Sequence, residues 1–161
     1  MGIGFTLSLI GAAIVATLSG LGTAWGVSIP GRAANGLLSE EPEKFGSSLI
    51  YVALPGTSGI YGFISGVVVL IILGVFGGEP KTPTLEQGIA ILGICLFASA
   101  VQWAASVFQG KVCAAGIAIV AKHPEDAMKG VVNAVMVETY AVLGLLITIL
   151  LLMFAVAPTL G

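Results

Sequence analysis

Apolar residues in this chain come in four long runs, and charged residues are confined to the connections between them. Asp, Glu, Lys, Arg and His are all missing from Met1 to Gly31, from Gly46 to Gly78 and from Gln87 to Gly110. The fourth run, from Gly130 to Gly161, holds a single charged residue, Glu138. Each run exceeds the roughly 20 residues that a helix needs to cross the hydrocarbon core of a bilayer. The pattern predicts an all-α membrane protein with four transmembrane helices, paired as two helical hairpins at residues 1–78 and 79–161.

Composition fits that reading. The chain has 161 residues, 57% of them hydrophobic and only 9% charged, where a soluble domain carries about a quarter charged. The first run is too long, and its start too poor in basic residues, for a cleavable signal. Met1-Gly2-Ile3-Gly4-Phe5-Thr6 fits a loose myristoylation pattern, but a glycine already entering a span gains nothing from an acyl chain. Cys95 and Cys113 fall in one predicted helix, about 27 Å apart at 1.5 Å per residue, so they are read as small packing residues and not as a disulfide.

The charges set an orientation. Arg32 to Lys44 forms the first connection, Gly77 to Pro83 the second and Lys122 to Lys129 the third. The first and third, with Lys111 nearby, hold five of the six Lys and Arg residues. The positive-inside rule then places loops 32–45 and 121–129 in the cytoplasm and both termini outside. No nucleic-acid partner is expected. His123, beside Pro124, reads as a solvated loop residue.

The hairpins resemble each other, as a duplication would leave them. Pro42-Glu43 precedes the second span and Pro124-Glu125 the fourth; at the same offset Gly62 meets Gly144, Thr57 meets Thr139, and Glu138 meets Gly56. Only the second hairpin carries a carboxylate within a span. The first span has Gly22 and Gly26, a close-approach spacing, and the third is rich in Ala and Gly. The second and fourth end in bulkier runs. An inner layer of small-residue helices and an outer layer against lipid is the expected arrangement.

Polar groups converge in depth. Counted from the cytoplasmic end of each span, Glu138, Thr57, Ser58 and Gln109 all lie roughly 15–18 Å in, at 1.5 Å per residue. A carboxylate at membrane depth is a functional-site hypothesis by default. Pro55 removes one backbone N–H and frees the carbonyl near Tyr51 or Val52; the same distortion can turn the Leu54 carbonyl toward a cavity. Glu138, Thr57, Ser58, the Gln109 amide oxygen and the Leu54 carbonyl form an all-oxygen set, which suits a hard cation. Tyr61, one turn from Thr57 on the same face, is placed to hydrogen-bond the carboxylate. The competing readings are a buried tyrosine with no such role and a Gln109 that only joins helices.

Three motifs carry a family resemblance: Leu-Pro-Gly-Thr-Ser-Gly-Ile-Tyr-Gly-Phe at 54–63, Gln-Gly-Lys-Val at 109–112 and Met-Val-Glu-Thr-Tyr-Ala at 136–141. Together they resemble the proteolipid subunit of V-type (V/A-type) ATPases, in particular the bacterial sodium-pumping subunit K, over nearly the whole chain. The resemblance implies a duplicated hairpin, many copies of which form a rotor ring. It implies Glu138 as the ion carrier, with Leu54 (carbonyl), Thr57 and Gln109 as sodium ligands and Tyr61 bonding the glutamate. It also implies a stator subunit with an essential arginine and a central stalk docking on the cytoplasmic loops. One departure stands out: the sodium form has Gln after the threonine, and this chain has Ser58. Na⁺ is the expected cargo, with H⁺ the alternative.

The chain is not expected to be an enzyme by itself, because Gly20 to Gly26 lacks the lysine and strand context of a phosphate loop. A stand-alone channel or transporter, or a structural scaffold, are the rival readings.

Overall fold

The structure, a computed structural model, describes residues 2–78 and 80–160. Glu79, in the connection between the hairpins, and Met1, in the myristoylation pattern, lie outside them. Four helical spans long and apolar enough to cross a membrane occupy Ile3–Leu38, Pro42–Ile72, Leu85–Lys122 and Pro124–Thr159. The first is one helix, α1 (Ile3–Leu38), and the third another, α4 (Leu85–Lys122). At 1.5 Å per residue these measure about 54 and 57 Å, well beyond the ~30 Å hydrocarbon core, so their ends stand in the headgroup region or in water.

The other two spans start alike. A single 3₁₀ turn, Pro42–Lys44, leads into α2 (Phe45–Ala53), and another, Pro124–Asp126, leads into α5 (Ala127–Leu150). Proline suits this first position because its missing N–H would be unpaired there anyway. Pro55 breaks the second span as its sequence predicts: Leu54–Gly56 forms a 3₁₀ turn, and α3 (Thr57–Ile72) continues beyond it. The start of α4 is fixed by a reciprocal cap, in which Thr84 N–H donates to Gln87 Oε1 at 2.7 Å and Gln87 N–H to Thr84 Oγ1 at 3.3 Å. This satisfies two of the four amides that a helix start leaves free. At its far end, α5 loosens into π-helical turns over Leu151–Val156 before Pro158.

Helices α1 and α4 run parallel and pack along their length through glycines. Gly4 lies against Thr84 and Gly88, Gly22 against Trp103, and Gly26 against Ser106 and Gly110. A Cβ added at Gly22 would stand 2.6 Å from Trp103 Cα, and one at Gly110 would stand 2.9 Å from the Gly26 carbonyl carbon. These obstacles are backbone and cannot swing aside. Gly110→Ala is therefore expected to cost about 1–3 kcal/mol, read as a lower thermal aggregation temperature in detergent. Gly93→Ala, whose Cβ meets no atom within 4 Å in this chain, is the matched control and should leave that temperature unchanged.

The remaining helices flank this pair, with α3 on α1 and α5 on α4. The interior divides by level. One apolar cluster, including Val15, Val69, Ile91 and Leu152, fills the end near the termini; a second, including Tyr51, Cys113, Val120 and Ala134, fills the end near loops 32–45 and 121–129. Both cysteines are free and buried, as their spacing requires. Fully buried Ser58, Gln102, Ser106 and Gln109 lie on the stretches of α3 and α4 between those clusters. Lys44 ties the two basic loops together, donating to the Ala121 carbonyl at 2.7 Å while pairing with Glu41 at 2.6 Å. The outer surface is apolar, with Phe97, Phe154 and Tyr140 at 78%, 76% and 70% exposed. That suits a chain surrounded by lipid and other hydrophobic surfaces.

Candidate ion-binding site

Glu138 lies on α5, half-buried, facing α3 and α4. Its two carboxylate oxygens have different partners. Tyr61 on α3 donates its hydroxyl to Oε1 at 2.8 Å, and Gln109 on α4 donates from Nε2 to Oε2 at 3.4 Å. Three of the residues singled out from sequence therefore meet, from three separate helices. The first bond has the usual length of a hydroxyl–oxygen hydrogen bond and the second is long.

The same Gln109 nitrogen lies 3.3 Å from the Ala134 carbonyl, one turn before Glu138. Its oxygen is buried and has no hydrogen-bond partner among the described residues. It is the amide nitrogen, not this oxygen, that faces the carboxylate. At the Pro55 break, Thr57 donates its hydroxyl to the Leu54 carbonyl at 3.0 Å. Because a cation takes lone pairs and not protons, that bond leaves both oxygens able to ligate.

Ser58 behaves differently. Its hydroxyl is fully buried and has no hydrogen-bond partner among the described residues. It sits on the face of α3 that packs inward; its neighbours Gly59 and Gly62 lie against Thr23 and Ser19 of α1. Successive helical residues are turned by about 100°, so Ser58 and Thr57 point in different directions.

Two buried residues went unnoticed in the sequence. Ser106 donates to the Pro55 carbonyl at 2.7 Å, so α4 satisfies a backbone group at the break. Gln102 donates to the Ala141 carbonyl of α5 at 3.0 Å. The available signal for Gln102 was its spacing of seven residues from Gln109, which places both amides on one helical face. Lys111 turns outward instead, its ammonium 5.2 Å from the centre of the Phe108 ring. His123 is exposed and pairs with Glu125 at 3.5 Å.

Compared with known families, the chain matches the C subunit of ATP synthase twice, at residues 10–72 and 92–151, once in each hairpin. The chain belongs to the ATP synthase C-subunit family. It is 42% identical to the V-type sodium ATPase subunit K of Enterococcus hirae, over 94% of each chain. It is 34% identical to the A-type ATP synthase subunit K of Methanocaldococcus jannaschii, over 91% of this chain and 61% of that longer one. To the 16 kDa proteolipid of the V-type proton ATPase of Nephrops norvegicus it is 29% identical, over 89% and 87% of the two chains. As a proteolipid of the C-subunit family, this chain is a multi-pass component of the membrane sector and does not itself catalyse ATP turnover. Its role is that of a rotor proteolipid of a V/A-type ATPase, in a family whose members assemble as rings.

Proposed function

We propose that the chain carries Na⁺ across the cell membrane by binding and release at Glu138 as the ring turns. The observation that carries this reading is the three-helix convergence on one half-buried carboxylate, bonded by the Tyr61 hydroxyl and by the Gln109 amide, whose oxygen has no hydrogen-bond partner among the described residues. The ligands are Glu138, Gln109, Thr57 and the Leu54 carbonyl, with Tyr61 holding the carboxylate. Ser58 is assigned to the same set on sequence grounds and would reach the ion only by turning from its present place. Neutralising the carboxylate with a cation lowers the cost of carrying it past lipid. An arginine on a stator subunit would displace the ion into the exit path.

Orientation and partners follow from the loops. Lys44 joins residues 32–45 to Ala121, so both basic connections lie at one end of the molecule, and that end is taken as cytoplasmic with both termini outward. The same end would dock the central stalk. The two family matches support reading 1–78 and 79–161 as duplicated hairpins, of which the second alone carries ions.

A second reading, with H⁺ as cargo, is favoured by one feature. Gln109 presents its nitrogen and not its oxygen to Glu138, whereas a cation needs the oxygen. Carbodiimide labelling of Glu138 at fixed pH separates the two, since the reagent attacks only the protonated carboxyl. Protection by millimolar Na⁺ is the expected outcome. Labelling that ignores Na⁺ but falls with rising pH would make the cargo H⁺, and no specific labelling would remove Glu138 from the mechanism.

A further inference from the structure

Two glutamines join α4 to α5 on the same pattern. Gln109 Nε2 reaches the Ala134 carbonyl at 3.3 Å, and Gln102 Nε2 reaches the Ala141 carbonyl at 3.0 Å. The donors are seven residues apart on α4, and the acceptors seven apart on α5. Glu138 lies between the two acceptors. Among the described residues these are the side-chain hydrogen bonds from α4 to the backbone of α5.

The rungs are not equivalent. Gln109 also faces the carboxylate, so presenting its oxygen to a cation requires a half-turn of its amide, and that turn takes Nε2 away from Ala134. Gln102 has no such second duty. It is fully buried, and its oxygen has no hydrogen-bond partner among the described residues. A carbonyl can bond only the nitrogen end of an amide, so the Ala141 contact fixes which way Gln102 points. Gly144, one turn beyond Ala141, leaves the space; a Cβ there would stand 2.6 Å from Val101 Cγ1 and 3.6 Å from Gln102 Nε2.

The geometry points to Gln102 as a positioning residue for ion binding: it holds the turn of α5 after Glu138 in register with α4 while Gln109 releases Ala134 to ligate the ion. This rests on the sodium reading of Glu138. Without Gln102, the amide turn would free α5 at both rungs, and part of the binding energy would go into holding the helix. Ion affinity would fall while the unliganded assembly persists.

The test uses the intact assembled complex, carbodiimide as the probe and NaCl as the ligand. Gln102→Met, a near match in volume, is expected to raise the Na⁺ concentration for half-protection of Glu138 by about threefold or more, the effect of one average hydrogen bond between membrane helices. Gln102→Asn keeps the amide but is one methylene too short to reach Ala141, and should do the same. Ser99→Ala, which removes a buried hydroxyl bonded only to Leu96 within its own helix, should leave the value unchanged. Unaltered half-protection in both Gln102 variants, with or without a fall in the thermal stability of the complex, would make Gln102 ordinary helix glue and overturn the role. So would failure of both variants to assemble. If the unmodified protein shows no Na⁺ protection, the sodium reading fails by itself. The labelling rate at fixed pH then becomes the readout, with at least a threefold change supporting positioning and no change overturning it.

Discussion

Replacing Glu138 with glutamine is expected to abolish ATP-driven ion transport by the complex while leaving its assembly intact. The amide has the size of the carboxyl and keeps the shorter contact: its oxygen can accept from Tyr61, 2.8 Å from Oε1 in the native chain, while its nitrogen cannot accept the long bond from Gln109. It cannot exchange a cation or a proton, because it is permanently neutral. Removing a charge from membrane depth also spares up to about 2.5–3.5 kcal/mol on insertion-based scales, so the variant should be at least as stable to heating as the native protein. Transport is measured as ²²Na⁺ or proton uptake into vesicles with ATP supplied, and assembly by recovery of the intact complex. Undiminished uptake would leave Glu138 a structural residue and sink the carrier role. Uptake by the isolated chain, without its partner subunits, would point instead to a channel.

Most of the fold was legible because a bilayer leaves few solutions. A backbone in hydrocarbon must satisfy its own hydrogen bonds, so charge-free runs longer than about 20 residues read directly as helices, and the structure has four such spans. Pro55 signalled the break in the second span, for the same steric reason that places it between Ala53 and Thr57 in the structure. The depth count put Gln109 and Glu138 at one level because helical rise is nearly constant, and one-turn spacing from Thr57 brought in Tyr61; the Gln109 and Tyr61 side chains both meet the carboxylate.

Partner choice among the small polar residues was not legible. A hydroxyl in a membrane helix can bond back to its own turn, as Ser65 does to the Tyr61 carbonyl and Thr148 to that of Gly144, or across to a neighbour, as Ser106 does to Pro55. Sequence spacing favours neither. Ser58 shows the same limit: its buried hydroxyl has no hydrogen-bond partner among the described residues, whereas that of its neighbour Thr57 bonds the Leu54 carbonyl. Gln102 was passed over because a depth count measured from the carboxylate leaves out the turn that fixes the carboxylate's helix. Its acceptor, the Ala141 carbonyl, is on another helix and is set by packing, not by spacing along α4.

Tyr61→Phe is expected to raise the Na⁺ concentration for half-protection of Glu138 by roughly 10–100-fold. The magnitude follows from the bond. A hydrogen bond to a charged group is worth about 1.5–3 kcal/mol, and each 1.4 kcal/mol is tenfold in affinity. The Tyr61 hydroxyl lies 2.8 Å from Oε1, whereas Gln109 Nε2 lies 3.4 Å from Oε2, so the tyrosine is the stronger of the two anchors on the carboxylate. The phenyl ring is retained, which leaves packing between α3 and α5 in place and isolates the hydroxyl. Without it the carboxylate can rotate away from Gln109, and the proposed ligand set loses its fixed member. Thr57→Ala offers the contrast: it removes a candidate ligand but not a bond to Glu138, because the Thr57 hydroxyl donates to Leu54 at 3.0 Å. A smaller shift in Thr57→Ala than in Tyr61→Phe would fit a site whose affinity depends on holding the carboxylate still. The reverse order would mean that the count of oxygens around the ion decides the affinity and that Tyr61 is packing.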